Sequence, residues 1–568
     1  ISEFYREVSN QAYTIRFKDV PVDYIDGLVE RGQLYLFQIY NKDFSAHSKG
    51  TPNLHTLYFK MLFDERNLSD VVFKLNGQSE MFYREASINK DEMIIHPANQ
   101  PIDNKNPESS NKKAFFTYDI VKDKRFTKRQ FLLHMPITIN YKADGKEIIN
   151  DDVRKAIKHS DKTHIIGIDR GERNLLYICV IDSDGNIVEQ KSLNEIFAST
   201  GQRVDYHKLL DKKEGERDKA RKNWSTIENI KELKEGYLSQ VVHEICKLVV
   251  KYNALVALED LNFGFKKGRF KVEKQVYQKF ENMLIQKLNY LADKNIDPNE
   301  DGGLLKAYQL TNCYKGVSRG KQNGIIFYVP AYLTSKIDPT TGFVDLLKPK
   351  YTNVSDSVSF FERFDDIVFN SSENIFEFKL DYTKFPRTDS SFVKKWTLFS
   401  NGERIMTFRN SLKNNEWDNK TVVLTDEFKS LFEKYGIDYT SALKKSIVEN
   451  GDKNFHKELI RLVSLMLQMR NSETGNFDVD YLISPVKNSS GGFYDSRCCM
   501  DNLPQNADAN GAYNIARKAL WAVGVMKNTP DEGLMKANLA ISNADWLGYA
   551  QNEDKDLLIV NQYCNPES

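Results

Sequence analysis

The sequence predicts a multidomain chain that mixes α+β and α/β architecture, and three observations predict it. At 568 residues the chain is too long for one ordinary core, and its length suggests roughly four domains. From His164 onward, short apolar runs alternate with turn residues, the pattern of paired strands. Two segments, Leu238–Tyr252 and Ala507–Leu520, repeat their apolar residues at helical spacing.

Composition narrows the function only slightly. Hydrophobic residues make up 40% and aromatics 12%, which describes a globular protein rather than a disordered one. Lys+Arg (80) and Asp+Glu (79) nearly cancel, so net charge identifies no partner. The six cysteines, Cys179, Cys246, Cys313, Cys498, Cys499 and Cys564, contain no CxxC pair, which argues against a zinc knuckle or a disulfide framework. A reducing cytoplasm is the expected compartment. No apolar run approaches the ~18 residues a membrane helix needs, so no membrane partner is expected. The chain begins with Ile1 in ISEFYREVSNQAY, which reads as the middle of something, and an upstream portion is expected to precede it.

The first 145 residues mix strand-like stretches (Ala12–Phe17, Gln33–Tyr40, Val71–Lys74) with short helices (Asp23–Arg31, Leu54–Phe63), as an α+β or barrel-like module would. Residues 101–160 are basic, with 13 Lys/Arg against 8 Asp/Glu. Next come HIIGID, LLYICVID and IVEQKSL, three strands joined by short turns, then a charged helical stretch, Tyr206–Lys234, with a lone Trp224. The helix Leu238–Tyr252 follows, then a fourth strand, Ala254–Leu258, ending in Glu259-Asp260. A long mixed insert occupies 325–506, and the helix from Ala507 comes last.

This order places acids where metal-dependent phosphodiester hydrolysis needs them. Two cations about 3.5–4 Å apart can clamp the attacking water and the leaving oxygen, provided carboxylates converge from different elements. A ribonuclease H-like core has an Asp on its first strand, an acid ending its fourth and an Asp on a late helix. Asp169, Glu259 and Asp508 stand in that order. Mg²⁺ is the expected ion, because hard oxygen ligands suit it and it keeps water for the reaction; Mn²⁺ is the expected substitute. Singly, each acid has a plainer reading. Asp169 could start the RGERN turn, Glu259 or Asp260 could cap the next element, and Asp508 could simply complement a helix dipole. Position alone does not choose between Glu259 and Asp260.

Over Phe263–Lys287, seven Lys/Arg face two Glu, with Phe263, Phe265, Phe270, Tyr277 and Phe280 interleaved. Such a segment can neutralise phosphates and stack on bases. Tyr277, Phe280 and Leu284 equally fit a core stripe, whereas the Gly-rich FGFKKGRF favours nucleic acid. Composition alone makes His96, Lys105 and Lys122 ordinary surface residues of a basic segment.

At GIDRGERNLLY, ALEDLNFGFKKGRFKVEKQVYQK and NADANGAYNIARKAL the chain closely resembles the type V-A CRISPR effectors, the Cpf family of RNA-guided DNA endonucleases. YLFQIYNKDFS, DERNLSDVVFKLNG, LTSKIDP, LQMRNS and FYDSR also look like family segments, so the likeness runs from end to end. The resemblance implies a RuvC-like, RNase H-like nuclease core in three parts (146–200, 218–324 and 507–568), with Asp169, Glu259 and Asp508 as catalytic, metal-holding acids. It implies a bridge helix over 201–217, with Trp224 as its anchor unless that residue is an ordinary core tryptophan. It makes 325–506 a second, Nuc domain, in which Arg470 (LQMRNS) and Asp480 (VDYLISP) match positions associated with strand cleavage. Arginine stays protonated, so Arg470 suits phosphate positioning or charge stabilisation better than general base catalysis. Asp480 could equally be a structural partner.

The resemblance also makes residues 1–145 the end of a β-rich, oligonucleotide-binding wedge domain, with His96, Lys105 and Lys122 as residues that process precursor guide RNA. It implies as partners a CRISPR guide RNA, target double-stranded DNA, single-stranded DNA and a missing upstream recognition lobe, in a prokaryotic cytoplasm. Two rival readings stay open: a guide-RNA binding and processing module whose DNA site is inert, and an RNase H-like transposon nuclease.

Overall fold

The computed structural model describes residues 20–36, 54–69, 71–75, 80–103, 113–140, 146, 148–170, 174–197, 203–205, 208, 230–260, 271–313, 321–386, 391–413, 415–473 and 476–552. The chain forms two compact units, one of residues 1–147 and 288–310, the other of residues 148–287 and 311–568.

In the first unit the strands nest. Phe73–Leu75 pairs with Ile137–Ile139, Glu80–Arg84 with Gln130–His134, Ile95–His96 with Ile120–Val121, and Ile102–Asp103 with Lys113–Ala114, all antiparallel. A small core of Met61, Leu62, Val72, Phe73, Tyr290 and Leu304 lies under the helix Leu54–Met61. Tyr290 and Leu304 belong to a segment that the sequence places inside the second nuclease part; packing groups it with the first 147 residues instead. The strand expected over Gln33–Tyr40 is not seen at residues 33–36, and the one expected over Ala12–Phe17 lies outside the described residues.

The second unit contains, in chain order, helix α1 (Asn150–Lys158), strands β1 (His164–Asp169), β2 (Tyr177–Ile181) and β3 (Ile187–Ser192), and helix α2 (Ile230–Tyr252). Strand β4 (Ala254–Glu259), helix α3 (Lys271–Asn289), and strands β5 (Gln322–Asn323) and β6 (Ile326–Val329) follow. The insert supplies α4 (Val354–Glu362), β7 (Asp366–Asn370), β8 (Ile375–Asp381), β9 (Lys395–Phe399), β10 (Glu403–Asn410), β11 (Glu416–Val423), α5 (Leu424–Lys434), α6 (Leu443–Glu449), α7 (Lys453–Met466), β12 (Arg470–Glu473), β13 (Asn476–Lys487) and β14 (Phe493–Asp495). Helices α8 (Ala507–Asn528) and α9 (Asn543–Gln551) close the described chain.

Six of these strands form one sheet in the order β3-β2-β1-β4-β6-β5. Strands β1, β2 and β3 are joined antiparallel, and β4 and β6 run parallel to β1. Ile165, Ile166 and Ile168 are all inaccessible although neighbours along a strand point to opposite faces, so β1 is covered on both sides. The insert has its own apolar core, built from Phe361, Phe364, Phe376, Phe378, Phe428, Phe432 and Phe455 among others.

Ile326–Val329 opens no insert: its apolar run IFYV pairs with β4 from Val256↔Ile326 to Glu259↔Val329, as the next strand of the main sheet. The bridge helix does not begin at 201, because Arg203–Asp205 pairs as a strand with Glu195–Phe197. The rest of that helix, apart from Lys208, lies outside the described residues, and so does Trp224.

Helix α8 packs on β1 and β2 unusually closely. A Cβ on Gly167 would stand 2.0 Å from the Ala512 carbonyl oxygen and 2.9 Å from the Ala516 Cβ. Only a glycine in mid-strand lets the helix lie so near. Gly167→Ala forces helix and strand apart, and its expected cost is roughly 1–3 kcal/mol, at the upper end because backbone must move. Urea unfolding measures that loss, and a wild-type midpoint would mean the helix can retreat freely.

Candidate active site

Three elements end at one place. Strand β1 finishes in Asp169 and β4 in Glu259; their last paired residues are Ile168 and Leu258, one position earlier. Asp508 lies in the first turn of α8, whose N-cap Asn506 accepts from the Ala509 amide (2.8 Å). An acid there is favoured by the unpaired N–H groups and the helix dipole. One turn later comes Gly511, on which the Asp169 carboxyl rests: a Cβ there would sit 2.2 Å from Asp169 Oδ2.

Each acid is held by a different donor set. The Arg170 amide donates to Asp169 Oδ1 (2.8 Å). The Thr334 hydroxyl donates to Glu259 Oε1 (2.8 Å). Asp508 receives Asn174 Nδ2 on one oxygen (2.7 Å) and Arg470 Nη2 on the other (3.0 Å). Asn174 is itself oriented by Ser192 and Asn194, which donate to its side-chain carbonyl. Asp260, the neighbour sequence position could not set aside, turns instead to an ion pair with Lys321.

Arg470 and Asp480 form one ion pair. Arg470 opens β12 and Asp480 lies on the paired strand β13; Nε and Nη2 of the arginine each donate to a different oxygen of Asp480 (2.9 Å both). This bidentate fork leaves Nη2 shared with Asp508, so Asp480 sets where the guanidinium points. The insert and the main sheet thus meet at Asp508.

The electrostatics are those of crowded acids. Burial, then the charges of Glu259 and Asp508, push the Asp169 carboxyl well above the ordinary carboxylate range. Farther along α8, burial pulls the Lys518 amine down to about 7, against the pull of Glu259.

Oxygen-only donors with surplus negative charge fit a hard divalent cation. Among the described residues, no three His, Cys, Asp or Glu form a group that could hold a metal ion as they stand; Asp508 is turned to Arg470 and Asn174, and Glu259 to Thr334. Asp169, Glu259 and Asp508 would hold such an ion.

In the first unit, His96 and Lys122 lie on neighbouring chain segments, two positions apart in register: His96 lies opposite Ile120, and the Lys122 amide donates to the Ile94 carbonyl (2.9 Å). Lys105 and the FGFKKGRF segment lie outside the described residues.

Sequence reasoning missed Gly511, Asn174 and Thr334. A glycine inside an otherwise periodic helix was the available signal for the first; Asn174 and Thr334 give none.

Carboxylates gathered at the ends of adjacent parallel strands and the start of a crossing helix define a nuclease-type site. Comparison with known families gives the same class: the chain matches the RuvC nuclease domain over residues 143–555, and it belongs to that family. Among the described residues no helix is long and apolar enough to cross a membrane.

A stability test follows from Asp169. A carboxyl whose folded pKa is raised binds its proton more tightly in the folded chain, so its contribution to stability falls as pH rises above the ordinary 3.8 and stops falling at the raised folded value. In metal-free buffer Asp169→Asn is therefore expected to unfold at higher urea than wild type at pH 7, with a smaller gap at pH 4. A variant less stable at pH 7 would show that the buried charge is fully compensated.

Proposed function

We propose that this chain is the nuclease-bearing part of an RNA-guided DNA endonuclease of the type V-A CRISPR class, cutting target and non-target strands at Asp169, Glu259 and Asp508. What supports the reading above all is the gathering of these acids from β1, β4 and α8 into one electrostatically coupled group. The strand order and directions of the main sheet suit an RNase H-like core, and the separate aromatic core between β6 and α8 suits a Nuc domain. Pairing with guide RNA would select the DNA, with the protein holding the heteroduplex by backbone and shape.

Divalent ions, Mg²⁺ first, would supply charge neutralisation at the scissile phosphate and a more acidic attacking water. The carboxylates fix the donor positions from rigid strand and helix ends. Arg470, held by Asp480, keeps a fixed positive fork beside the acids, suited to holding a phosphate or screening developing charge. In the first unit, the placement of His96 and Lys122 two register positions apart on paired segments supports metal-independent maturation of precursor guide RNA, with His96 as general acid or base.

The test compares DNA cleavage and precursor-RNA maturation by guide-loaded wild type, Asp169→Ala and His96→Ala, with Mg²⁺ or EDTA. Asp169→Ala and EDTA should each abolish DNA cutting and spare RNA maturation; His96→Ala should do the reverse. Both DNA strands cut by Asp169→Ala at the wild-type rate would place the chemistry elsewhere.

A second prediction separates Arg470 from its holder. Arg470→Lys keeps the charge and loses the fork, so cutting should fall nearly as far as in Arg470→Ala. Asp480→Asn keeps one acceptor and should cost less, roughly tenfold. Single-turnover rates decide, and equal losses in Asp480→Asn and Arg470→Ala would give Asp480 a direct part.

A further inference from the structure

The buried face of α8 carries polar residues that the chemistry above does not use. Asn510, Asn514 and Lys518 follow at four-residue spacing, so they stand in a row along one side of the helix. Asn510 and Asn514 are inaccessible and Lys518 is 1% exposed. Burying three such groups is unfavourable unless each finds a partner.

All three find partners in one segment, residues 330–338, which follows β6. Asn510 Nδ2 donates to the Ile337 carbonyl (2.9 Å) and Asn514 Nδ2 to the Thr334 carbonyl (2.9 Å). Lys518 Nζ donates to the carbonyls of Pro330 (2.7 Å) and Tyr332. From α9, Trp546 Nε1 donates to the carbonyl of Leu333 (3.1 Å), a residue held at φ 51°. The loop is partly exposed, at Ala331, Tyr332 and Lys336, but Thr334, Ile337 and Asp338 are buried, and its inward carbonyls find donors on side chains of helices.

Thr334, in the middle of the loop, reaches the acids. Its hydroxyl has one proton and two acceptors within range, Glu259 Oε1 at 2.8 Å and the Ala331 carbonyl at 3.3 Å. The carboxylate is nearer and charged, so it takes the proton.

We infer that residues 330–338 form a positioning device for the nuclease site: α8 grips the loop through Asn510, Asn514 and Lys518, and the Thr334 hydroxyl thereby sets the Glu259 carboxylate for a divalent cation. This rests on the reading of Glu259 as a metal-holding acid. Thr334 and Lys518 act through Glu259 and are positioning residues. Glutamate has more rotatable bonds than aspartate, so of the three acids it gains most from being oriented before the ion arrives. Helix α8 then governs all three acids: it carries Asp508, seats Asp169 on Gly511 and steers Glu259 through the loop.

The experiment titrates Mn²⁺ into the full chain and reads free Mn²⁺ by electron paramagnetic resonance, beside thermal unfolding and Mn²⁺-dependent cleavage of single-stranded DNA. The proteins are wild type, Thr334→Val, Thr334→Ser, Lys518→Met and Glu259→Gln. Thr334→Val is nearly isosteric and should weaken Mn²⁺ binding by roughly tenfold or more at unchanged melting temperature. Thr334→Ser, which restores the hydroxyl, should restore affinity. Lys518→Met should shift Mn²⁺ binding in the same direction; if it fails to fold, the Thr334 pair decides. Wild-type Mn²⁺ affinity in Thr334→Val, with Glu259→Gln impaired, overturns the positioning role and leaves the acids in place. Wild-type affinity and cleavage in Glu259→Gln instead removes the reading of Glu259 on which the inference stands.

Discussion

Helix α8 lies on strand β1 at a separation that only glycine allows, and the site depends on that contact. At Gly167 the strand offers no side chain, so the backbone of Ala512 and the methyl of Ala516 come against it. At Gly511 the helix returns the concession, and the Asp169 carboxyl occupies the space a methyl would take. Each missing Cβ removes a steric stop, and together they bring the end of β1 beside the first turn of α8. The parallel pairing of β4 with β1 then delivers Glu259 to the same end of the sheet.

Bringing acids together has an electrostatic cost, and the surroundings show how it is offset. Asp169 is partly buried beside the charges of Glu259 and Asp508, and its own charge is correspondingly disfavoured. Asp508 is almost inaccessible (3% of its side chain) and is matched on both oxygens, by Asn174 and Arg470. The arginine is in turn fixed by Asp480 on the neighbouring strand. Local charge that would otherwise separate these elements is thus spread over a network of fixed donors, a strained balance common where a fold holds a reactive centre. The insert contributes two members of this network, so it belongs to the site as well as to its own aromatic core.

Much of the fold was legible because its signals are local. HIIGID, LLYICVID and IVEQKSL appear as strands, Leu238–Tyr252 forms the larger part of α2, and Ala507–Leu520 the larger part of α8. IIFYV is as apolar as these strands, yet nothing local says which sheet a lone run will join; its pairing with β4 decides that it belongs to the main sheet and not to the insert. Arg203–Asp205 departs from the expected helix for a similar reason, since its pairing with Glu195–Phe197 decides its conformation. Tyr290 and Leu304 joined the core of the first unit by packing that no spacing announces.

For the site, the sequence determined the chemical inventory: carboxylates at strand ends and at a helix start, an arginine, and glycines within a strand and a helix. Those features follow from residue identity and short-range periodicity, which the chain carries in its linear order. Tertiary structure decided which acids face one another, that Asp260 turns away to Lys321 while Glu259 meets Thr334, and that Arg470 and Asp480 act as one pair. It also decided that a loop from beyond β6 is clasped by polar residues of α8. Hydrogen bonds and charge couplings of this kind form between residues far apart in the chain, and their partners are chosen by the packing that brings those residues within about 3 Å.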